Sequence, residues 1–248
     1  MNVVILGCGY TGERVAKRLA ARGIQTLATH RASFDVTKPP LRLEIPEGAR
    51  VLHSIPLVEG KRPTPLLLPL LKRASRVVYL STTSVYGATE KVNENTPVKP
   101  RFERERLRVE EERDLASGAW QTLILRPAAI YGPERGIHVA MREGKHKIWG
   151  DGQNYVSRIH VEDLAEIAVA ALSSELTGAF PVADEEPCRA IEIARFCAER
   201  FALPMPEMRG ELAVEDTRRA NRQVDGRAIL RELGVRLAYP NYRVGLGW

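Results

Sequence analysis

The chain has 248 residues, of which 44% are hydrophobic and 27% charged, a composition typical of a soluble globular protein. Its formal net charge of +6 is scattered among acids, as in residues 101–113, which favours a solvated surface over a nucleic-acid-binding face. No apolar stretch reaches the length of a membrane span. The three cysteines show no C-x-x-C or metal spacing, so we expect a cytoplasmic protein without a metal site.

The first element is a buried strand followed by a glycine turn and a helix. Val3 to Leu6 is an unbroken apolar run, and Gly7-Cys-Gly-Tyr-Thr-Gly12 follows it directly. In this pattern the first glycine permits the tight turn, the second lets a pyrophosphate approach the backbone, and the third lets helix and strand pack closely. Free N–H groups at the helix start would then face the phosphates. The turn therefore predicts a dinucleotide site.

Strand and helix signals alternate after this turn. Gly23 ends the first helix, and the apolar helix at 161–173 follows the last of the strands. Strands are predicted at 24–29, 50–55, 76–80 and 121–125, and the other helices at 66–72 and 102–117. Such alternation predicts a doubly wound, parallel-sheet α/β fold of the Rossmann type. The acids of the 102–117 helix are most simply a solvated face with i,i+4 ion pairs.

The C-terminal part has a different pattern. Helical spacing recurs at 190–201 and at 213–233, with a proline-rich break between them. We expect a dinucleotide-binding domain of residues 1–132 and about 157–185. Residues about 133–156 and 186–248 would then form a small substrate cap over the sheet.

Four motifs occur in the order of one known family. They are Gly7-x-Gly-x-x-Gly12, Leu80-Ser-Thr-Thr-Ser-Val-Tyr-Gly87, Leu125-Arg-Pro-Ala-Ala-Ile-Tyr-Gly-Pro133 and Arg158-Ile-His-Val-Glu-Asp-Leu-Ala165. Together they resemble the extended short-chain dehydrogenase/reductases, also called the NAD-dependent epimerase/dehydratase family. This resemblance implies that Thr82 orients the substrate and that His160 is a packed structural residue.

The same family uses a Tyr-x-x-x-Lys pair, and this sequence contains none. The resemblance puts Phe102 at the tyrosine position and Arg106 at the lysine position. Phe102 has no proton to give, and Arg106 is permanently charged. The expected catalytic set is therefore Thr82 and Arg106. Tyr86 and Tyr131 could replace the missing phenol, but we expect them to be apolar walls.

Two further departures concern the substrate. Ala129 stands where nucleotide-sugar enzymes of the family usually have an asparagine, and Val156 stands where they often have an arginine. Both changes argue against a nucleoside-diphosphate sugar and in favour of a small non-nucleotide substrate.

The end of the second strand bears on the choice of cofactor. NAD-binding proteins commonly place an acid there, whereas this chain has Thr29, His30 and Arg31. Arg31, with Thr29 or Ser33, could hold a 2′-phosphate, so NADP(H) is favoured and NAD(H) stays possible. The residues expected at the cofactor are Gly7, Gly9, Tyr10, Thr11, Gly12, Thr29, His30, Arg31, Ser54, Ile55, Pro56, Thr82 and Pro127.

Two functions remain open from the sequence. One is an NADP(H)-dependent oxidoreductase or epimerase-like enzyme, and the other is a non-catalytic protein whose bound dinucleotide reports redox state. The 102–117 helix has few apolar positions, which predicts a monomer or a weak homodimer.

Overall fold

The computed structural model describes residues 1–210 and 221–247. Its centre is a parallel sheet of six strands in the order β11-β6-β4-β3-β1-β2. These strands are β1 (Val3–Leu6), β2 (Thr26–Thr29), β3 (Ala49–His53), β4 (Ala74–Leu80), β6 (Gln121–Pro127) and β11 (Gly178–Val182). The predicted doubly wound α/β sheet is confirmed.

Short strand pairs lie outside this sheet. Their members are β5 (Lys91–Val92), β7 (Ala129–Tyr131), β8 (Ile148–Trp149), β9 (Tyr155–Val156), β10 (Arg158–His160), β12 (Cys188–Arg189), β13 (Met208–Arg209) and β14 (Gln223–Val224). The helices are α1 (Tyr10–Ala21), α2 (Thr64–Leu71), α3 (Glu103–Ala116), α4 (Ile137–Arg142), α5 (Val161–Ser173), α6 (Ala190–Phe201), α7 (Arg227–Leu233) and α8 (Tyr242–Gly245). Within the described residues, no helix combines the length and apolarity that a membrane crossing needs.

The sheet is covered on both faces because each central strand is apolar on both sides. Val3 and Ile5 face one core that includes α1 and α5, whereas Val4 and Leu6 face a second core that includes α2. Side chains alternate between the faces of a strand, so four consecutive apolar residues serve two cores. This two-sided burial fixes the position of the glycine turn that follows Leu6.

The chain direction across the sheet changes at β1. β2 pairs with one edge of β1 and β3 with the other, so the loops after β1 and β3 leave the sheet side by side. Such a switch point opens a crevice at the carboxyl ends of parallel strands. Gly7 and Ile55 meet at this crevice.

Beyond the sheet, two segments of the chain pack on each other. β9 pairs with β12, β8 pairs with β13, and α4 packs against α6. These contacts join the 133–156 region to the 186–210 region, the two pieces assigned to the cap from the sequence.

The last part of the chain differs from its expected place in the cap. β14 pairs with β5, and α7 packs on α5 and β11 with Ile229 in the main core. Residues 223–233 therefore pack on the dinucleotide-binding domain and not in the cap. The helix predicted at 213–233 is also wrong within the described residues, because only 227–233 are helical there; its residues 213–220 lie outside them.

The sequence predicts that the acids of α3 form a solvated face, but this holds only for some of them, such as Glu103. Glu105, Glu111 and Glu112 are buried, as is Arg108. Glu111, Glu112 and Arg108 have partners on other elements, which the local sequence pattern does not record. Glu105 instead accepts from the backbone N–H groups at the start of α3 itself. The face of α3 that meets the sheet is therefore polar.

Candidate active site

The glycine turn has the geometry expected of a dinucleotide site. Gly7 has φ +89°, a left-handed conformation that favours glycine, and lies two residues before Gly9, the N-cap of α1. A Cβ on Gly12 would lie 2.8 Å from the Gly7 carbonyl oxygen, so α1 packs closely on the turn. A Cβ on Gly9 would meet no protein atom within 4 Å. Gly9 thus faces open space at the start of α1, where a pyrophosphate would lie.

Two side-chain hydroxyl groups form hydrogen bonds with Gly7 of this turn. The Thr29 hydroxyl accepts from the Gly7 N–H at 3.1 Å and donates to the Ile5 carbonyl at 3.3 Å. The Ser54 hydroxyl donates to the Gly7 carbonyl at 2.6 Å. Thr29 is buried, and its hydroxyl is engaged in these two bonds within the fold. Both groups position the turn.

The residues after β2 form an exposed, largely cationic groove. Arg31, Ser33, Lys38 and Arg42 line it together with Asp35. The Asp35 carboxylate accepts from the backbone and hydroxyl of Thr37, which holds the pKa of Asp35 below its ordinary value. His30 and Pro56 are exposed near the same edge, and Ile55 packs against Gly7.

A cavity of about 350 Å³ opens at the carboxyl ends of β4 and β6. Thr82 and Pro127 line its floor, as expected for the strand ends of the motifs. The Thr82 hydroxyl accepts from the Ser84 N–H at 3.2 Å and caps a short 3-10 turn. Arg135 also lines the cavity, and its guanidinium lies 5.7 Å from the ring of Tyr10. Tyr10 begins α1, so the cavity and the glycine turn are neighbours.

Phe102 and Arg106 do not line this cavity, and their predicted orientation is wrong. Phe102 is the residue before α3, and its ring lies 4.8 Å from the Arg101 guanidinium. The Arg106 side chain is 52% exposed and pairs with Glu103 at 3.5 Å. The predicted register fails because α3 turns residues 105, 108 and 112 toward the sheet, in a mean direction about 130° from Arg106.

The residues of α3 that do line the cavity are Arg104, Glu105 and Arg108. Arg104 and Arg108 are four residues apart on one helical face, which is the spacing of Tyr-x-x-x-Lys. They line the same cavity as Thr82 and stand two residues beyond the positions that the sequence comparison selected. This shift was not visible in the sequence because every turn of α3 carries arginine and glutamate.

A buried ionic cluster lies directly beneath the cavity. Arg126 binds Glu112 through two hydrogen bonds of 3.1 and 2.7 Å, and Ser81 donates to the same carboxylate at 2.5 Å. Arg126 also donates to the Tyr86 hydroxyl at 3.1 Å. The cluster ties the ends of β4 and β6 to α3. Tyr86 is therefore a packed residue with a bonded hydroxyl, as is Tyr131, which donates to Asn241.

The cap side of the cavity is formed by Tyr155, Val156 and Ser157, facing Ala129 on the other side. Ala129 and Val156 offer only aliphatic groups where nucleotide-sugar enzymes have polar ones. Tyr155 brings a phenol to the cavity, and its ring lies 4.8 Å from the Arg189 guanidinium. The sequence analysis missed Tyr155 because its strand has only two residues and no motif.

His160 is 1% exposed and stacks on Tyr239 with a centroid distance of 3.8 Å. Its Nδ1 accepts from the Glu162 N–H at 3.3 Å, so it caps α5. Burial lowers the pKa of His160 to about 4. These contacts are those of a packed structural histidine that is neutral at pH 7.

The His160→Asn variant should be less sensitive to acid than the wild type. The folded-state pKa lies below the unfolded value of 6.5, so the unfolded chain takes up this proton first as the pH falls. The wild-type free energy of unfolding should therefore lose up to about 3 kcal/mol more than that of the variant between pH 7 and pH 4. Urea unfolding at the two pH values measures this difference. Equal losses in both proteins would contradict the neutral, buried histidine.

Comparisons with known proteins agree with this geometry. The sequence model of the NAD dependent epimerase/dehydratase family matches residues 62–182. A 3-diazoavenalumate denitrifying reductase from a Streptomyces species is 30% identical over 151 residues, which cover 55% of this chain and 49% of the reductase. The chain thus matches about half the length of that curated relative.

Solved structures match nearly the whole chain. A functionally unknown conserved protein from Silicibacter pomeroyi DSS is 30% identical, with a TM-score of 0.85 over 99% of this chain and 96% of that one. The human epimerase family protein SDR39U1, solved with NADPH, is 18% identical, with a TM-score of 0.80 over 99% and 98%. This second likeness concerns the fold.

The motifs, the parallel sheet with its glycine turn and the family match define the class. The chain belongs to the NAD-dependent epimerase/dehydratase family of extended short-chain dehydrogenase/reductases.

Proposed function

We propose that the protein is an oxidoreductase that binds NADP(H) and reduces or oxidises a small non-nucleotide substrate in the cavity at Thr82. The observation that carries this proposal is the open space at Gly9 beside the cavity floored by Thr82 and Pro127. The curated reductase relative and the NADPH-bound human structure support the same chemistry.

Different residues of the chain would contact different parts of the cofactor and the substrate. N–H groups at the start of α1, around Gly9, Tyr10 and Thr11, would face the pyrophosphate, with Gly7 and Gly12 shaping the turn. Ile55 and Pro56 would border the cofactor at the switch point, and His30 and Arg31 its adenosine end. The nicotinamide supplies the hydride chemistry when bound. Thr82 would orient the substrate by a hydrogen bond.

No Tyr-x-x-x-Lys occurs in the sequence, so any proton must come from another group. Tyr155 is the tyrosine among the described residues that line the cavity. We assign the proton at the substrate to the Tyr155 phenol or to water. Loss of turnover with unchanged cofactor affinity in Tyr155→Phe would identify the phenol.

We expect NADPH to bind more tightly than NADH, because Arg31 in its groove offers charge-assisted hydrogen bonds to a 2′-phosphate. Arg31→Ala should cost about 1.5–3 kcal/mol of NADPH binding and leave NADH binding nearly unchanged. Fluorescence titration of both cofactors measures this. Arg106→Ala removes the same charge at a distant exposed site and serves as the control. Equal affinities in the wild type would contradict the NADP(H) preference.

A non-catalytic redox sensor is the second candidate, favoured by the missing Tyr-x-x-x-Lys. A library of carbonyl and other reducible compounds, screened by NADPH absorbance beside the cofactor titration, separates the two. Saturable NADPH binding with turnover of at least one compound supports the enzyme. Tight binding without any turnover supports the sensor.

A further inference from the structure

The cavity at Thr82 is surrounded by arginines from three parts of the chain. Arg104 and Arg108 come from α3, Arg135 follows β7, and Arg222 precedes β14. Glu105 is the one acid among the described residues that line the cavity. Its carboxylate accepts from the N–H groups at 101 and 102 at 2.7 and 3.3 Å, so it is engaged at the start of α3. The described residues that line the cavity therefore carry an excess of positive charge.

These arginines lack carboxylate partners among the described residues. No ion pair within 4.0 Å includes Arg104, Arg108, Arg135 or Arg222 in that part of the chain. Arg222 donates to the carbonyl oxygens of Gly87 and Thr89. A charged group held in a cavity without a counter-charge costs free energy, and structural arginines are normally paired.

Arg108 has fewer hydrogen-bond partners than Arg76, a second buried arginine. The guanidinium of Arg76 donates to four acceptors, most of them at the end of α5. Arg108 donates to one, the Tyr79 hydroxyl at 2.5 Å. A guanidinium has five N–H groups. Arg76 is thus satisfied by the fold, whereas Arg108 keeps donors for the cavity that it lines.

A buried chain of hydrogen bonds holds Arg108 in this position. The Tyr79 hydroxyl accepts from Arg108 and donates to Glu111 at 3.1 Å, and Glu111 accepts from the Thr64 N–H at 2.9 Å. All of these groups are buried. The Arg108 guanidinium is therefore fixed before any ligand arrives, which lowers the entropy cost of binding.

We infer that Arg104 and Arg108 bind an anionic head group of the substrate, a carboxylate or a phosphate, on the face of α3 opposite Thr82. This inference rests on the proposed function and names the substrate class for the same cavity. Guanidinium forks match both oxyanions through paired hydrogen bonds. In this chain the helix face that meets Thr82 would thus hold an anion and not a proton-transfer pair.

Calorimetric titration with three probes of similar shape tests the inference: benzoate, phenyl phosphate and neutral benzamide. We expect at least one anion to bind about tenfold or more tightly than benzamide, and the preferred anion distinguishes carboxylate from phosphate. Arg104→Gln should weaken that binding about tenfold, whereas Arg106→Gln on the solvent face should not change it. Arg104 is exposed, so this substitution leaves the core intact. Arg108→Lys keeps the positive charge but removes the paired hydrogen bonds of the guanidinium, so it tests whether those paired bonds contribute to anion affinity.

Each titration is made on the free protein and on the NADPH-saturated protein. Equal binding of anion and benzamide, no measurable anion binding, or unchanged affinity in Arg104→Gln would overturn the inference. Competition of the anion with NADPH would also overturn it, because the arginines would then belong to the cofactor site. If anions bind as expected but NADPH does not bind at all, the proposed function fails and the anion site stands.

Discussion

Valine in place of Gly9 is expected to abolish dinucleotide binding without unfolding the protein. The backbone at Gly9 is extended, with φ −105° and ψ −151°, so valine there does not require a left-handed conformation. The added Cβ meets no protein atom within 4 Å, so the fold accepts it. The side chain would occupy the space that a pyrophosphate needs. Fluorescence titration with NADPH and urea unfolding measure the two halves of this prediction.

The free energy of unfolding should change by no more than about 1 kcal/mol, the cost of a poorer helix cap. Gly210→Val is the matched control, because a Cβ there also meets no described atom within 4 Å and Gly210 follows β13, which pairs with β8 outside the central sheet. Gly210→Val should bind NADPH as the wild type does. Normal NADPH binding by Gly9→Val would show that the turn is structural only.

Replacement of Arg126 by methionine is expected to lower the free energy of unfolding by about 3–5 kcal/mol. The side chains of Arg126 and Glu112 are 10% and 5% exposed and share two hydrogen bonds. Methionine leaves the Glu112 carboxylate buried with the Ser81 hydroxyl as its remaining partner. The penalty is therefore that of an uncompensated buried charge.

Arg106→Met breaks an ion pair on the same helix and is the control. Arg106 and Glu103 are 52% and 75% exposed, so their pair should contribute no more than about 1 kcal/mol. Urea unfolding at pH 7 compares the two variants. Similar losses in both would contradict the structural role of the Arg126–Glu112 pair.

The sheet and its glycine turn could be predicted because buried parallel strands leave unbroken apolar runs in the sequence. The helix at 161–173 was predicted to the residue for a related reason, since its apolar side faces a core. The predicted bounds of the helix at 190–201 also match the structure, because Ile193 and Cys197 stand at helical spacing and are buried in the cap.

The orientation of α3 could not be predicted in the same way. Its buried face carries Glu105, Arg108, Glu111 and Glu112, and its exposed face carries arginine and glutamate as well. A hydrophobic pattern therefore does not distinguish the two faces. Their partners, such as Tyr79 and Arg126, lie on strands distant in the sequence. The role of Thr29 was missed for a similar reason, because its hydroxyl bonds to Gly7 across two strands.

A crystal structure with NADPH tests the central claim most directly. We predict the pyrophosphate against the N–H groups at Gly9 to Thr11, the 2′-phosphate beside Arg31, and the nicotinamide at the cavity between Thr82 and Pro127. A pyrophosphate bound to Arg104 and Arg108, or a nicotinamide outside that cavity, would contradict the account.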